Sequence, residues 1–148
     1  MKLMLIVLGL GLVVCNLAYA DGDKVAIETI VLEAGGESLD GQIAVGEVIR
    51  NRTDDVYTHG SYADRVDQVV RRPWQFSCWN NPLIAKLRLS RVSGEAYQRA
   101  SKAWEASRTS DLTGGATHYA NLSLCSPKWA RKLKQTVKIG AHTFYAEA

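Results

Sequence analysis

A carboxylate cluster, Glu33, Glu37 and Asp40, lies within eight residues of this 148-residue chain. Farther along come Gln75-Phe76-Ser77 and Trp79, an amide and a hydroxyl set among large rings, and then His118-Tyr119 and His142 to Tyr145. A carboxyl at the C-terminal end of an apolar helix is a candidate general acid. The negative end of the helix dipole opposes its ionisation, and burial beside an aromatic ring opposes it further, so the proton is held near neutral pH. Glu33 stands in that position, although a glutamate at a helix end is by itself more often a surface residue. His118 and His142 could pass for a metal pair, but no third ligand stands at zinc-type spacing. No metal or other cofactor is therefore expected, and the histidines read as hydrogen-bonded structural or cleft residues. Neither Cys78 nor Cys125 sits in a pattern that marks a reactive thiolate.

These residues need elements to carry them. Val25, Ile27, Ile30, Val31 and Ala34 recur at helical spacing, which predicts a helix over about 24–34, stopped by Gly35-Gly36. Ser38 caps a second helix running to about Asn51, with Asp40 as a first-turn charge favoured by the dipole. A third helix is expected over about 62–71, ended by Pro73. Residues 74–81 read as a loop, 81–91 are ambiguous, and Ser93 caps a long helix to about Arg108. Alternation of His, Tyr, Thr and Phe predicts strands over 116–120 and 139–145, and Pro127 to Leu133 reads as a short helical turn. The expected fold is a mostly helical α+β single domain with a small C-terminal antiparallel sheet.

The N-terminus reads as a secretory signal peptide. Met1-Lys2 is followed by an apolar run to Val14 and by Ala18-Tyr19-Ala20, a small-x-small cleavage site that places the cut after Ala20. The run falls short of the roughly 20 residues a membrane-spanning helix needs; a cleaved chain has no stable membrane anchor, and an uncleaved anchor is the alternative. The mature domain is then 21–148, and Cys78 and Cys125 remain as an even pair in an exported protein. One disulfide between them is expected, worth about 4 kcal/mol on the chain-entropy model. The net charge of +3 falls to +2 once Lys2 is removed. Neither Arg71-Arg72 nor the 128–138 segment is dense enough for nucleic acid; both read as solvated helix faces. A balance this slightly positive is diagnostic of little.

Four pieces in order resemble the SleB/CwlJ cell wall hydrolase family. They are Glu33-Ala34-Gly35-Gly36-Glu37 with Gly41-Gln42-Ile43-Ala44-Val45 and Asn51-Arg52; Gln75-Phe76-Ser77 with Trp79; Gly115-Ala116-Thr117-His118-Tyr119; and Pro127-Lys128-Trp129-Ala130 with Ile139-Gly140-Ala141-His142-Thr143-Phe144-Tyr145. The likeness runs from about Ile27 to Tyr145. It implies a lysozyme- or lytic-transglycosylase-like fold, a peptidoglycan glycosidase activity and Glu33 as the catalytic residue. On that basis Glu37, Gln75, Phe76, Ser77, Trp79, His118, Tyr119 and Tyr145 are candidate substrate contacts, with Phe76 and Trp79 equally readable as core.

Protonation of the departing glycosidic oxygen is the central demand of such chemistry. A hydrolase ordinarily adds a second carboxylate; a lytic transglycosylase lets the sugar's own 6-hydroxyl attack and needs one acid/base group. The one-acid route between N-acetylmuramic acid and N-acetylglucosamine is the favoured reading. A hydrolytic, endolysin-like muramidase and a non-catalytic peptidoglycan-binding protein are the alternatives. The expected partner is the peptidoglycan glycan strand, met by a monomer that is secreted, periplasmic or wall-bound.

Overall fold

Helix α1 (Asp21–Ala34) is apolar almost all round, which fits a helix enclosed by others. Val25, Ala26, Ile27, Ile30, Val31, Leu32 and Ala34 are all buried. The computed structural model describes residues 21–54 and 58–147; the signal-peptide reading falls on residues 1–20, outside the described residues. Around α1 pack α2 (Leu39–Thr53), α3 (Tyr62–Arg71), α4 (Pro82–Leu89) and α5 (Gly94–Ala106). Burying this many aliphatic side chains, each contributing roughly 1.5–3 kcal/mol, puts α1 at the centre of the helical core. Among the described residues no helix is long and apolar enough to cross a membrane.

The helix boundaries follow local chemistry. α1 begins at Asp21 rather than Lys24, with Asp21 and Asp23 in its first turn. Asp23 also accepts the Trp104 indole N–H at 2.6 Å, tying that end to α5. Ser38 caps α2 through the Gly41 N–H, and Ser61 and Asp64 form a reciprocal capping box on α3. The ambiguous 81–91 stretch contains α4, where Asn81 caps Ile84 and Pro82 occupies the first turn. α5 follows its Ser93 cap as expected and ends at Ala106.

The sheet departs from expectation in one strand. β1 (His118–Ala120), β2 (Lys134–Ile139) and β3 (His142–Ala146) form an antiparallel sheet in the order β1-β3-β2. The expected strand over 139–145 is split by a hairpin turn, with Ile139 paired to His142. The 128–138 segment is not a helix face: a short 3-10 turn over Lys128–Arg131 leads into β2. Its lysines mark a largely exposed edge strand, where charge discourages further strand pairing. Gly140 opens the two-residue turn with φ 57, the left-handed conformation such hairpins demand. Ala44 and Val48 of α2 pack on Ala116 and Phe144, joining the sheet to the helices.

Candidate active site

Glu33 lies in the last turn of α1, where the buried helix emerges at a cleft of about 600 Å3. The cleft is bounded by the 74–77 loop, β1 and the 121–129 connection, with His142 of β3 in its wall. Three donors meet the Glu33 carboxyl. Oε1 accepts the Cys78 N–H at 2.9 Å and the Ser77 hydroxyl at 3.3 Å. Oε2 accepts the Tyr119 hydroxyl at 3.1 Å. The Gln-Phe-Ser loop thus supplies one side of the grip and β1 the other. Hydroxyl hydrogens rotate, so Tyr119 and Ser77 can donate to the carboxylate or accept from the carboxylic acid. Desolvation, and then the Glu33 charge, hold the Tyr119 phenol well above its ordinary pKa, so it stays protonated.

Arg52 is the neighbouring cation, a residue whose role does not follow from the sequence. Its Nε donates to the Thr117 carbonyl at 2.5 Å and its Nη1 to the Gln75 carbonyl at 3.2 Å, with the guanidinium 4.9 Å from the centre of the Phe76 ring. It therefore clasps the 74–77 loop to the start of β1, the two pieces that hold Glu33. Burial pulls its pKa down to about 10, which leaves it charged at neutral pH. Its position in the Asn51-Arg52 pair was the available signal. Asn51 does parallel work, donating to the Ala116 carbonyl at 2.8 Å.

Glu37, the second carboxylate of the cleft, is turned to the hairpin. Its Oε2 accepts the Ala141 N–H at 3.2 Å and lies where a side chain on Gly140 would have to go. Asp40 is an exposed first-turn charge of α2, as expected. Gln75, Ser77, His118 and Tyr119 line the cleft with Glu33. His118 Nδ1 is 2.9 Å from Thr117 Oγ1, and its ring lies 5.1 Å from that of Trp129. Burial first, and then Arg52, lower the His118 pKa. His142 is buried against the Tyr119 ring at 4.9 Å, and its Nδ1 has no hydrogen-bond partner among the described residues.

The fold decides between core and cleft for Phe76 and Trp79, and it corrects the expected placement of Tyr145 and the expected disulfide. Phe76 is 1% exposed and belongs to the core beneath the loop. Trp79 is away from the Glu33 cleft: its indole N–H donates to Thr29 Oγ1 at 2.9 Å, and it borders a separate groove. Tyr145 is buried and meets Trp129 edge-on at 5.4 Å. The Cys78–Cys125 disulfide is not formed. Cys78 is buried in the helical core and Cys125 is exposed on the 121–129 connection. Burial and the Glu33 charge push the Cys78 thiol pKa far up, so it is no nucleophile. Among the described residues no cluster of three metal-ligating side chains occurs. A hollow of similar size, about 640 Å3, between α1 and α3 is lined by charges of both signs and holds none of the motif residues.

The family model described as Cell Wall Hydrolase matches residues 36–145. The chain belongs to the cell wall hydrolase family. It is 30% identical over 127 residues to the spore cortex-lytic enzyme of Halalkalibacterium halodurans, covering 85% of this chain and 35% of that one. Against the spore cortex-lytic enzyme of Bacillus cereus it is 32% identical over 127 residues, covering 85% and 45%. The chain thus spans between a third and a half of the length of these relatives. Among solved structures, the catalytic domain of the Bacillus cereus SleB protein superposes with a TM-score of 0.65 at 28% identity, covering 86% of this chain and 92% of that one. The catalytic domain of the germination-specific lytic transglycosylase SleB from Bacillus anthracis gives 0.65 at 27%, covering 87% and 98%. At these TM-scores and coverages the two solved catalytic domains share the overall fold of this chain.

Proposed function

We propose that this cell wall hydrolase family member degrades peptidoglycan, cutting the bond between N-acetylmuramic acid and N-acetylglucosamine by a lytic transglycosylase route. The observation that carries the reading is the state of the two cleft carboxylates. Glu33 opens on the cleft and is steadied by Ser77, Cys78 and Tyr119, whereas an oxygen of Glu37 is taken up by the hairpin turn. One acid/base group is what the transglycosylase route requires. Glu33 gives its proton to the glycosidic oxygen as the bond from the muramic C1 breaks. The resulting carboxylate then takes the proton of the same sugar's 6-hydroxyl as that oxygen bonds to C1, which restores Glu33 and leaves a 1,6-anhydro end.

Arg52 spends its Nε and Nη1 on carbonyls, and its part is to hold the loop and strand together. Gln75, Ser77 and His118 are placed to bind acetamido and hydroxyl groups from the cleft wall. The relatives' names support peptidoglycan as substrate, and the wall is the place of action. A signal peptide over 1–20 and a monomeric secreted enzyme complete the proposal.

Mass spectrometry of fragments released from purified peptidoglycan tests it. Anhydro-muramic ends are expected. Reducing muramic ends make the protein a muramidase with a second base, and reducing glucosamine ends overturn the assigned bond.

A further inference from the structure

Arg72, Pro73, Trp74 and Gln75 form a turn closed by the Gln75 N–H on the Arg72 carbonyl at 3.2 Å. Proline sits second, and the third residue, Trp74, has φ 66. This is the type II pattern, whose third position calls for glycine because a side chain there is strained. Here the position holds the bulkiest side chain available. Burial does not compensate, since Trp74 is 84% exposed. A strained backbone that carries an exposed aromatic stabilises nothing in the fold, and such expense collects at functional sites.

Its location gives the function. Trp74 lines the Glu33 cleft and also borders the neighbouring groove of about 240 Å3 formed with Arg72, Trp79 and Asn80. It is a ridge between two hollows, directly before the Gln-Phe-Ser loop that grips Glu33. We infer that Trp74 is a stacking platform for a pyranose ring of the glycan strand, carrying the strand from the reacting bond into the second groove. The flat apolar face of a sugar ring and a tryptophan ring are complementary, and the turn presents the indole outward before the ligand arrives. Residues beyond the reacting pair of sugars then contribute to binding, which favours polymer over short oligosaccharides. This inference rests on the glycan reading above.

Co-sedimentation with purified peptidoglycan sacculi tests it in the full chain, on a Glu33→Gln background that removes turnover. Adding Trp74→Gly should weaken binding about tenfold, corresponding to about 1.4 kcal/mol, while the melting temperature stays level or rises as the strain is relieved. Trp74→Phe should keep most of the binding. Equal binding with and without the indole overturns the platform, as does a melting temperature that falls with Trp74→Gly. Because this assay needs no cleavage, the two readings fail separately. Trp74-dependent binding by a native protein that releases no fragments sustains the platform and sinks the activity; native cleavage with Trp74-independent binding does the reverse.

Discussion

Two helical carboxylates in this protein are held in nearly the same way and end in different situations. Glu47, on α2, is 3% exposed and accepts the Leu112 N–H at 2.9 Å, the Thr113 N–H at 2.9 Å and the Thr113 hydroxyl at 2.7 Å. Glu33, on α1, also accepts three donors, but one backbone N–H and two hydroxyls. The donors are equal in number and drawn from the same two kinds, so hydrogen bonding alone does not distinguish a structural carboxyl from a reactive one. The difference is what lies on the remaining side. Around Glu47 the 112–113 turn closes over the group. Beside Glu33 the α1 helix ends, Gly35-Gly36 turn the chain away, and a cleft is left open. Glu47 fastens a loop; Glu33 is presented by two segments that Arg52 ties together.

This contrast yields ordered expectations. Glu47→Ala should cost the most stability, about 3 kcal/mol in urea unfolding, because two backbone N–H groups lose their acceptor. Glu33→Ala should cost less, since one backbone N–H rather than two loses its acceptor; equal losses would erase the distinction. Tyr119→Phe removes one of the two hydroxyls that position Glu33 and should lower kcat about tenfold, or about 1.4 kcal/mol, with little change in KM. An effect confined to KM would make Tyr119 a binding residue instead. Gly140→Ala forces a side chain into a left-handed turn and against Glu37, and should cost about 1 kcal/mol in thermal unfolding.

The smallest effect concerns pH. The folded-state pKa of His118 is lowered, so the unfolded chain binds its proton more readily. Its share of stability is complete above the ordinary histidine range and is lost as pH falls through that range toward the folded value. His118→Asn should flatten the acid-side loss of stability between about pH 7 and 5. An unchanged slope would assign that loss to other groups.

Much of this was legible in the chain. The apolar repeat from Val25 to Ala34 and the Gly35-Gly36 stop fix where α1 ends, and that places Glu33. Ser38, Ser61 and Ser93 announce their helices because capping is local chemistry. β2 was not legible, since its lysines mimic a solvated helix and only pairing with β3 makes the segment a strand. Phe76 and Trp79 read equally as core or cleft, and Tyr145 as cleft, because an aromatic in sequence carries no information on which side of a loop it packs. Two cysteines suggested a disulfide by count alone, whereas the fold sends Cys78 into the core under Glu33 and leaves Cys125 on the surface. Arg52 was visible as a motif letter, but its role depends on carbonyls contributed by distant segments.

The central claim is that a single carboxyl, Glu33, supplies the proton that breaks the glycan strand. Turnover of purified peptidoglycan by Glu33→Gln, measured beside native protein and with melting temperatures in parallel, tests it most directly. A loss of about 10³-fold or more, within the range for removing a general acid, is expected with the fold intact. Clearing at the native rate by a folded Glu33→Gln protein would contradict it.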